Sequence, residues 1–139
     1  MASLIYNSFY DDLARGNIIP SSDTFKVMLT TSAYTEDKDL HLKRSSITNE
    51  VSGTNYIAGG QAITATVTKD LVNDRLDISF GSVTWSTSTI TARKAVIYKS
   101  RGGASSADEL VCVIDFGTDQ ISSNGNFTIN SGTTIRIQN

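Results

Sequence analysis

From residue 25 to the end of the chain, apolar side chains alternate with Thr, Ser and charged residues in short runs. Clusters of Gly, Asn, Asp and Ser separate the runs. A period of two, punctuated this way, fits strands rather than helices. Phe25, Val27 and Leu29 alternate with Lys26, Met28 and Thr30, which predicts a half-buried strand after a turn at Pro20 and Ser21-Ser22-Asp23. Ile63, Ala65 and Val67 read as one further strand. A hairpin turn at Asn73-Asp74 leads to Leu76, Ile78 and Phe80 facing inward, and Val83 and Trp85 share a face. The apolar runs in "ARKAVIYKSRGG" and "ADELVCVIDFG" are continuous, as in central strands covered on both faces. "NFTIN", the turn "SGT" and "TIRIQN" predict a closing hairpin. About eight strands with no helix between them give a mainly β fold, an antiparallel β-sandwich of jelly-roll-like kind. A length of 139 residues suits one domain with its own core, 1–139, with the strands in 24–139. Ser and Thr, about a quarter of the residues, supply the polar faces that a low 19% of charged residues does not.

Two segments break the alternation. In residues 1–16, Ile5, Phe9 and Leu13 recur at i, i+4 and i+8, with Tyr6 and Tyr10 beside them. This predicts an N-terminal helix with Ser3 as its cap and Gly16 as its left-handed stop. Two readings are open: an arm that docks on a neighbouring subunit, or a helix folded over its own core. Residues 32–60 form a long connection whose first part, 32–50, is the most polar stretch of the chain. Thr35 before Glu36 and Asp37 suits a helix start, so one or two helical turns are expected there. Connections of this length are usually functional or packed against something.

The glycines of "NEVSGTNYIAGGQAIT", residues 49–64, raise the question of a phosphate loop. A P-loop needs a helix and a Lys-Ser/Thr pair after its last glycine. Here Gly59-Gly60 runs into the start of a strand, and no lysine lies between Arg44 and Lys69. The Gly-Gly step is therefore read as a turn with positive φ, and a dinucleotide site fails on the same ground. His41 is the only histidine, with no nucleophile elbow nearby, and it pairs poorly with Cys112 as a start on a zinc site. Cys112 reads as a small buried hydrophobe. The carboxylates are scattered and match no EF-hand loop. A net charge of −2 without a basic stripe argues against nucleic acid, and no apolar run is long enough for a membrane-spanning helix. The N-terminus carries Asp11 and Asp12 and no basic start, so a cytosolic origin is expected. Tyr34, Tyr56 and Trp85 could line a sugar-binding surface, which keeps a carbohydrate-binding module as an alternative. These residues point away from catalysis: no catalytic residue, cofactor or metal ligand is expected.

The order of segments carries a resemblance. "YDDLARGNI", "SDTFKVMLTTSAY", "DKDLHLKRSSITNEVSGTNYIAGGQAIT", "FGSVTWSTSTITARKAVIYK" and "LVCVIDFG" together resemble small virion structural proteins of tailed bacteriophages and prophages. The likeness runs from Phe9 to about Ile129 and is loosest at the C-terminus. It implies a non-enzymatic virion component, a capsid cement or decoration protein that binds across coat subunits and stabilises the head, with a neck or tail protein as the alternative. It further implies the major capsid (coat) protein as partner, a homo-oligomer such as a trimer, and assembly into the virion in the bacterial host cytoplasm. Contacts are expected on Tyr6, Phe9, Tyr10 and Leu13 of the helix, and on Tyr34, His41 and Tyr56 of the connection.

Overall fold

A computed structural model describes residues 3–130 and 133–139. Two antiparallel sheets form the body of the fold. The larger has the order β1-β7-β6-β2-β3 and the smaller β4-β5-β8. The strands are β1 (Leu4–Ile5), β2 (Phe25–Thr30), β3 (Gln61–Ile63), β4 (Ala65–Asp70), β5 (Arg75–Phe80), β6 (Val83–Lys99), β7 (Leu110–Ile129) and β8 (Thr133–Gln138). One α-helix, α1 (Asn7–Arg15), and two 3-10 turns, Arg44–Ser46 and Ser105–Ala107, complete the described structure.

The sheets enclose one apolar core. Phe25, Val27 and Leu29 of β2, Ala95 and Ile97 of β6, and Val111 and Cys112 of β7 pack with Ile78, Phe80 and Ile135 of the small sheet. The alternate residues of the same strands form a second cluster on the opposite face: Met28, Val96, Tyr98, Leu110 and Val113, joined by Tyr6 and Tyr34. An extra residue, Val111, interrupts the β6–β7 register between Ile97↔Cys112 and Tyr98↔Leu110. It lets two consecutive side chains, Val111 and Cys112, reach the same core.

The apolar runs of β6 and β7 are thus covered on both faces, as their composition predicts. The hairpin at Asn73-Asp74 forms as expected. Asp74 takes a positive φ of 53°, and the Asp70 carboxylate accepts the amides of Val72 and Asn73.

Other expectations are corrected. Both faces of β2 are buried, because Met28 and Thr30 lie under the polar connection. The run Ile63–Val67 is two strands in different sheets, the chain crossing between them at Thr64. "SVTWSTSTI" and "ARKAVIYK" are one strand, β6, bent at irregularities in its pairing with β7. The closing hairpin does not form. "NFTI" ends β7 against Val83–Trp85 of β6, while β8 pairs with β5, where Ile135 continues the row of Ile78. The proposed turn at "SGT" falls largely outside the described residues.

The N-terminal helix is shorter than predicted. Leu4 and Ile5 pair with Val113 and Cys112, and Ser3 caps no helix: its hydroxyl accepts the Asp115 amide at 2.8 Å. The edge of β7 offers backbone groups that need partners, and an extended segment satisfies them where a helical one would not. From Asn7 onward the helical period holds, and Gly16 ends it at φ 77°. Thr35 starts no helix. Asp37 instead accepts the amides of Asp39 and Leu40 and makes a turn, and a single 3-10 turn follows at Arg44–Ser46.

Candidate interaction surface

The glycine-rich loop is a structural turn. Gly59 and Gly60 have φ of 93° and 80°. A Cβ on Gly60 would stand 1.8 Å from the Val27 carbonyl oxygen, so only glycine lets the loop lie against β2 before β3 begins. Three side chains hold it. Glu50 Oε2 accepts the Gly59 amide at 2.7 Å and the Tyr56 hydroxyl at 2.6 Å. Tyr98 donates its hydroxyl to the Gly59 carbonyl at 2.6 Å. Every contact fixes the loop to its own sheet.

The connection that precedes it is fastened in the same manner. The Tyr6 and Tyr34 hydroxyls lie 2.7 Å apart, and the Tyr34 hydroxyl lies 2.9 Å from His41 Nδ1. The Tyr34 and His41 rings stack at 5.7 Å. Lys94 reaches out of β6 to the Tyr34 carbonyl at 2.9 Å and pairs with Glu36. Arg44 bonds Asp108 at 2.8 Å and lies 5.1 Å from the centre of the Tyr98 ring, and Arg101 grips Glu109. Asp108 and Glu109 are each buried, and these cations meet their charge. Burial, with the Tyr6 hydrogen bond acting against it, pushes the Tyr34 hydroxyl up to about 12. Burial first, and then the bond to Tyr34, drives Tyr6 further still. Both phenols therefore stay protonated at neutral pH and serve as hydrogen-bonding groups. Burial likewise raises the Cys112 thiol to about 12, which suits a packing residue.

These contacts decide where the sequence-chosen residues stand. Tyr6, Tyr34 and His41 come together, although 28 positions separate the two tyrosines, but they meet inside the chain's own cover. Phe9 is fully buried, and Leu13 packs half-buried on the same core. Tyr56 accepts the Leu29 amide and lies 5.9 Å from Trp85, ring to ring. Of the seven, Tyr10 alone is an exposed large hydrophobic, at 47%. Of the two readings open for the N-terminal segment, α1 takes the second: it is folded over its own core through Phe9 and Leu13. Tyr34, Tyr56 and Trp85 do not form a sugar platform, since the first and last are buried and Tyr56 is half-covered between Glu50 and Trp85.

The uncovered apolar side chains lie elsewhere. Leu40 and Leu42 stand on the connection, Ile57 on the glycine-rich loop, and Leu71 and Val72 at the β4–β5 hairpin tip, where Val72 is 91% exposed. Ile121 of β7 is 72% exposed. It stands at a groove of about 640 Å³ that also meets Phe116, Phe127 and Ile129. Sequence reading missed this groove, yet a signal was available: residues 78–92 and 120–135 contain no charged residue and no histidine. In a chain that is 19% charged, two such runs brought side by side by β6–β7 pairing mark a surface unlike the rest.

Several carboxylates are paired with cations: Asp23 with Lys99, Asp115 with Arg93, and Asp77 with Arg75 and Arg136. Among the described residues no group of three or more His, Cys, Asp or Glu side chains is placed to hold a metal ion. No described helix is long and apolar enough to cross a membrane. Compared with known proteins, the chain matches no family model, no curated protein and no solved structure.

Proposed function

We propose that this chain is a structural protein of a tailed-phage virion, a cement or decoration protein that grips coat subunits across their boundaries. The two sheets are read as a β-sandwich of jelly-roll-like kind whose work is adhesive. The sequence resemblance from Phe9 to about Ile129 supplies the class. The observation that carries the adhesive role is the spread of exposed aliphatic side chains over separate segments, the most exposed being Leu40, Ile57, Leu71 and Val72, and Ile121. A body that must hold several neighbours at once needs apolar contacts pointing in more than one direction. Binding only the assembled shell then adds to the shell's stability by mass action. The interior placement of Tyr6, Phe9 and Tyr34 moves the expected contacts from those residues to the aliphatic ones.

Purified particles test the reading. Copies in the hundreds, with antibody label over the whole head, are expected of cement. Six or twelve copies with label at one vertex would assign the chain to the neck or tail instead. The paired substitution Leu71→Ser with Val72→Ser should weaken head association at least tenfold while leaving the melting temperature unchanged. Undiminished association would remove the hairpin tip from the contact.

A further inference from the structure

The two sheets differ in how their edges end. On β4, an edge strand of the small sheet, Lys69 stands opposite Leu76, in the face that carries Ile78 and Phe80. A charge pointing to the apolar side of an edge strand discourages another strand from adding there. β7 has no such guard. The N-terminal segment and Leu42 cover it from Leu110 to Val113, with the Ser3 hydroxyl reaching the Asp115 amide. Beyond that point no described residue pairs with β7 on the side away from β6. Residues 120–135 offer no charge to deter a partner, and the groove, whose lining mixes amides, hydroxyls and apolar side chains without a charge, is lined by this stretch of β7.

The last stretch of the edge is Asn126-Phe127-Thr128-Ile129-Asn130, and all five residues line the groove. In chemical class it reads the same in both directions: amide, large apolar, hydroxyl, large apolar, amide. An antiparallel strand related by a two-fold axis at Thr128 would place Asn126 opposite the second copy's Asn130. Phe127 would face the second copy's Ile129, and Thr128 would face its own counterpart. Aromatic with β-branched and Thr with Thr are favoured cross-strand pairs. An amide donates and accepts, so two of them satisfy each other across the axis. Thr84 already bonds Thr128 at 3.0 Å on the polar face, so the facing hydroxyls would extend a ladder that exists within one copy. Any charged partner would enter a groove with no counter-charge in its lining. A second copy of this strand brings none.

We infer that two copies of this chain pair isologously through the free edge of β7, antiparallel about Thr128, so that the large sheet continues from one copy into the next. This stands apart from the capsid reading, because a chain that never meets a coat protein would still pair.

Light scattering coupled to size exclusion on the full chain should show a dimer that dissociates on dilution. A charge at a two-fold axis always faces itself, so Thr128→Lys and Thr128→Asp should each weaken dimerisation at least about tenfold. Mixed in equal amounts, the two variants should dimerise again, because unlike charges then meet. Thr128→Cys should close a disulfide across the axis under mild oxidation, as facing residues bring their Cα atoms to about 4.5–5.5 Å; buried Cys112 cannot compete for it. A monomer at every concentration, a trimer, a dimer indifferent to Thr128→Lys, or a mixture without rescue each overturns the inference. Should both charged variants fail to fold, the Thr128→Cys result decides, and an absence of cross-linked dimer counts against it.

Discussion

The two faces of the five-stranded sheet are buried to a similar degree by opposite means. Toward the small sheet the contacts are rings and aliphatic chains. Phe25 meets Phe80 edge to face at 5.8 Å, and Trp85 meets Phe127 at 6.0 Å. On the far face the cover is the N-terminal segment and the polar connection, held by tyrosine hydroxyls, the Lys94–Glu36 pair and the Arg44–Asp108 pair. Apolar area is additive and tolerant of small shifts, so the first face supplies most of the stability. Hydrogen bonds and paired charges contribute little net free energy each but demand fixed partners. The second face therefore fixes where the connection runs more than it stabilises the fold.

That contrast sets an order of effects. Phe80→Ala, which empties the space against Phe25, should cost about 3–5 kcal/mol. Chemical denaturation should show it as a loss for the whole molecule, with one shared transition. Tyr34→Phe removes the hydroxyl between Tyr6 and His41 while keeping the ring, and should cost about 1–2 kcal/mol. Its mark should be local: faster amide exchange at Ala33–Ile47 with core strands unchanged. If the Tyr34 variant loses as much as the Phe80 variant, or if its exchange rises uniformly, the two faces are one cooperative unit and the distinction falls.

The first face was legible in the sequence and the second largely was not. Alternation located β2 and β5, because burial of one face writes a period of two into the chain. Continuous apolar runs located the inner halves of β6 and β7, which are buried on both faces. Gly59-Gly60 was legible too, since only a positive-φ turn pressed against backbone demands that pair ahead of a strand. The cover leaves no period. Tyr6 and Tyr34 look like surplus aromatics for a partner until a fold brings their hydroxyls to 2.7 Å. Asp108 and Glu109 stand in the sequence as two more scattered carboxylates, although each is buried beneath an arginine. Pairing between strands was equally hidden. Nothing local says that β8 joins β5, and residues 127–129 alternate identically whether they form a hairpin or finish a long strand. The groove on β7 was missed for the converse reason: its signal is missing charge, which a search for reactive residues passes over.

A third polar surface, the outer face of the small sheet, resembles the second in composition but has no described segment laid over it. There Arg136 pairs with Asp77 at 2.8 Å, and Arg75 lies 3.4 Å from the same carboxylate. The Arg136 hydrogen bond first, then the charges of Arg136 and Arg75, hold Asp77 below the usual carboxylate range. With the folded value below an unfolded value of about 3.9, the pair's contribution is complete above that pH and is lost as pH falls through the folded value. Arg136→Ala should therefore lower the denaturation midpoint slightly at neutral pH, and the two proteins should converge as the solution is taken below pH 4. Salt should shrink the neutral-pH difference as well, since solvent reaches this pair. A gap that survives both acid and salt would show that Arg136 acts by packing its stem against the sheet, and would bring this bare surface closer to the covered face than its exposure suggests.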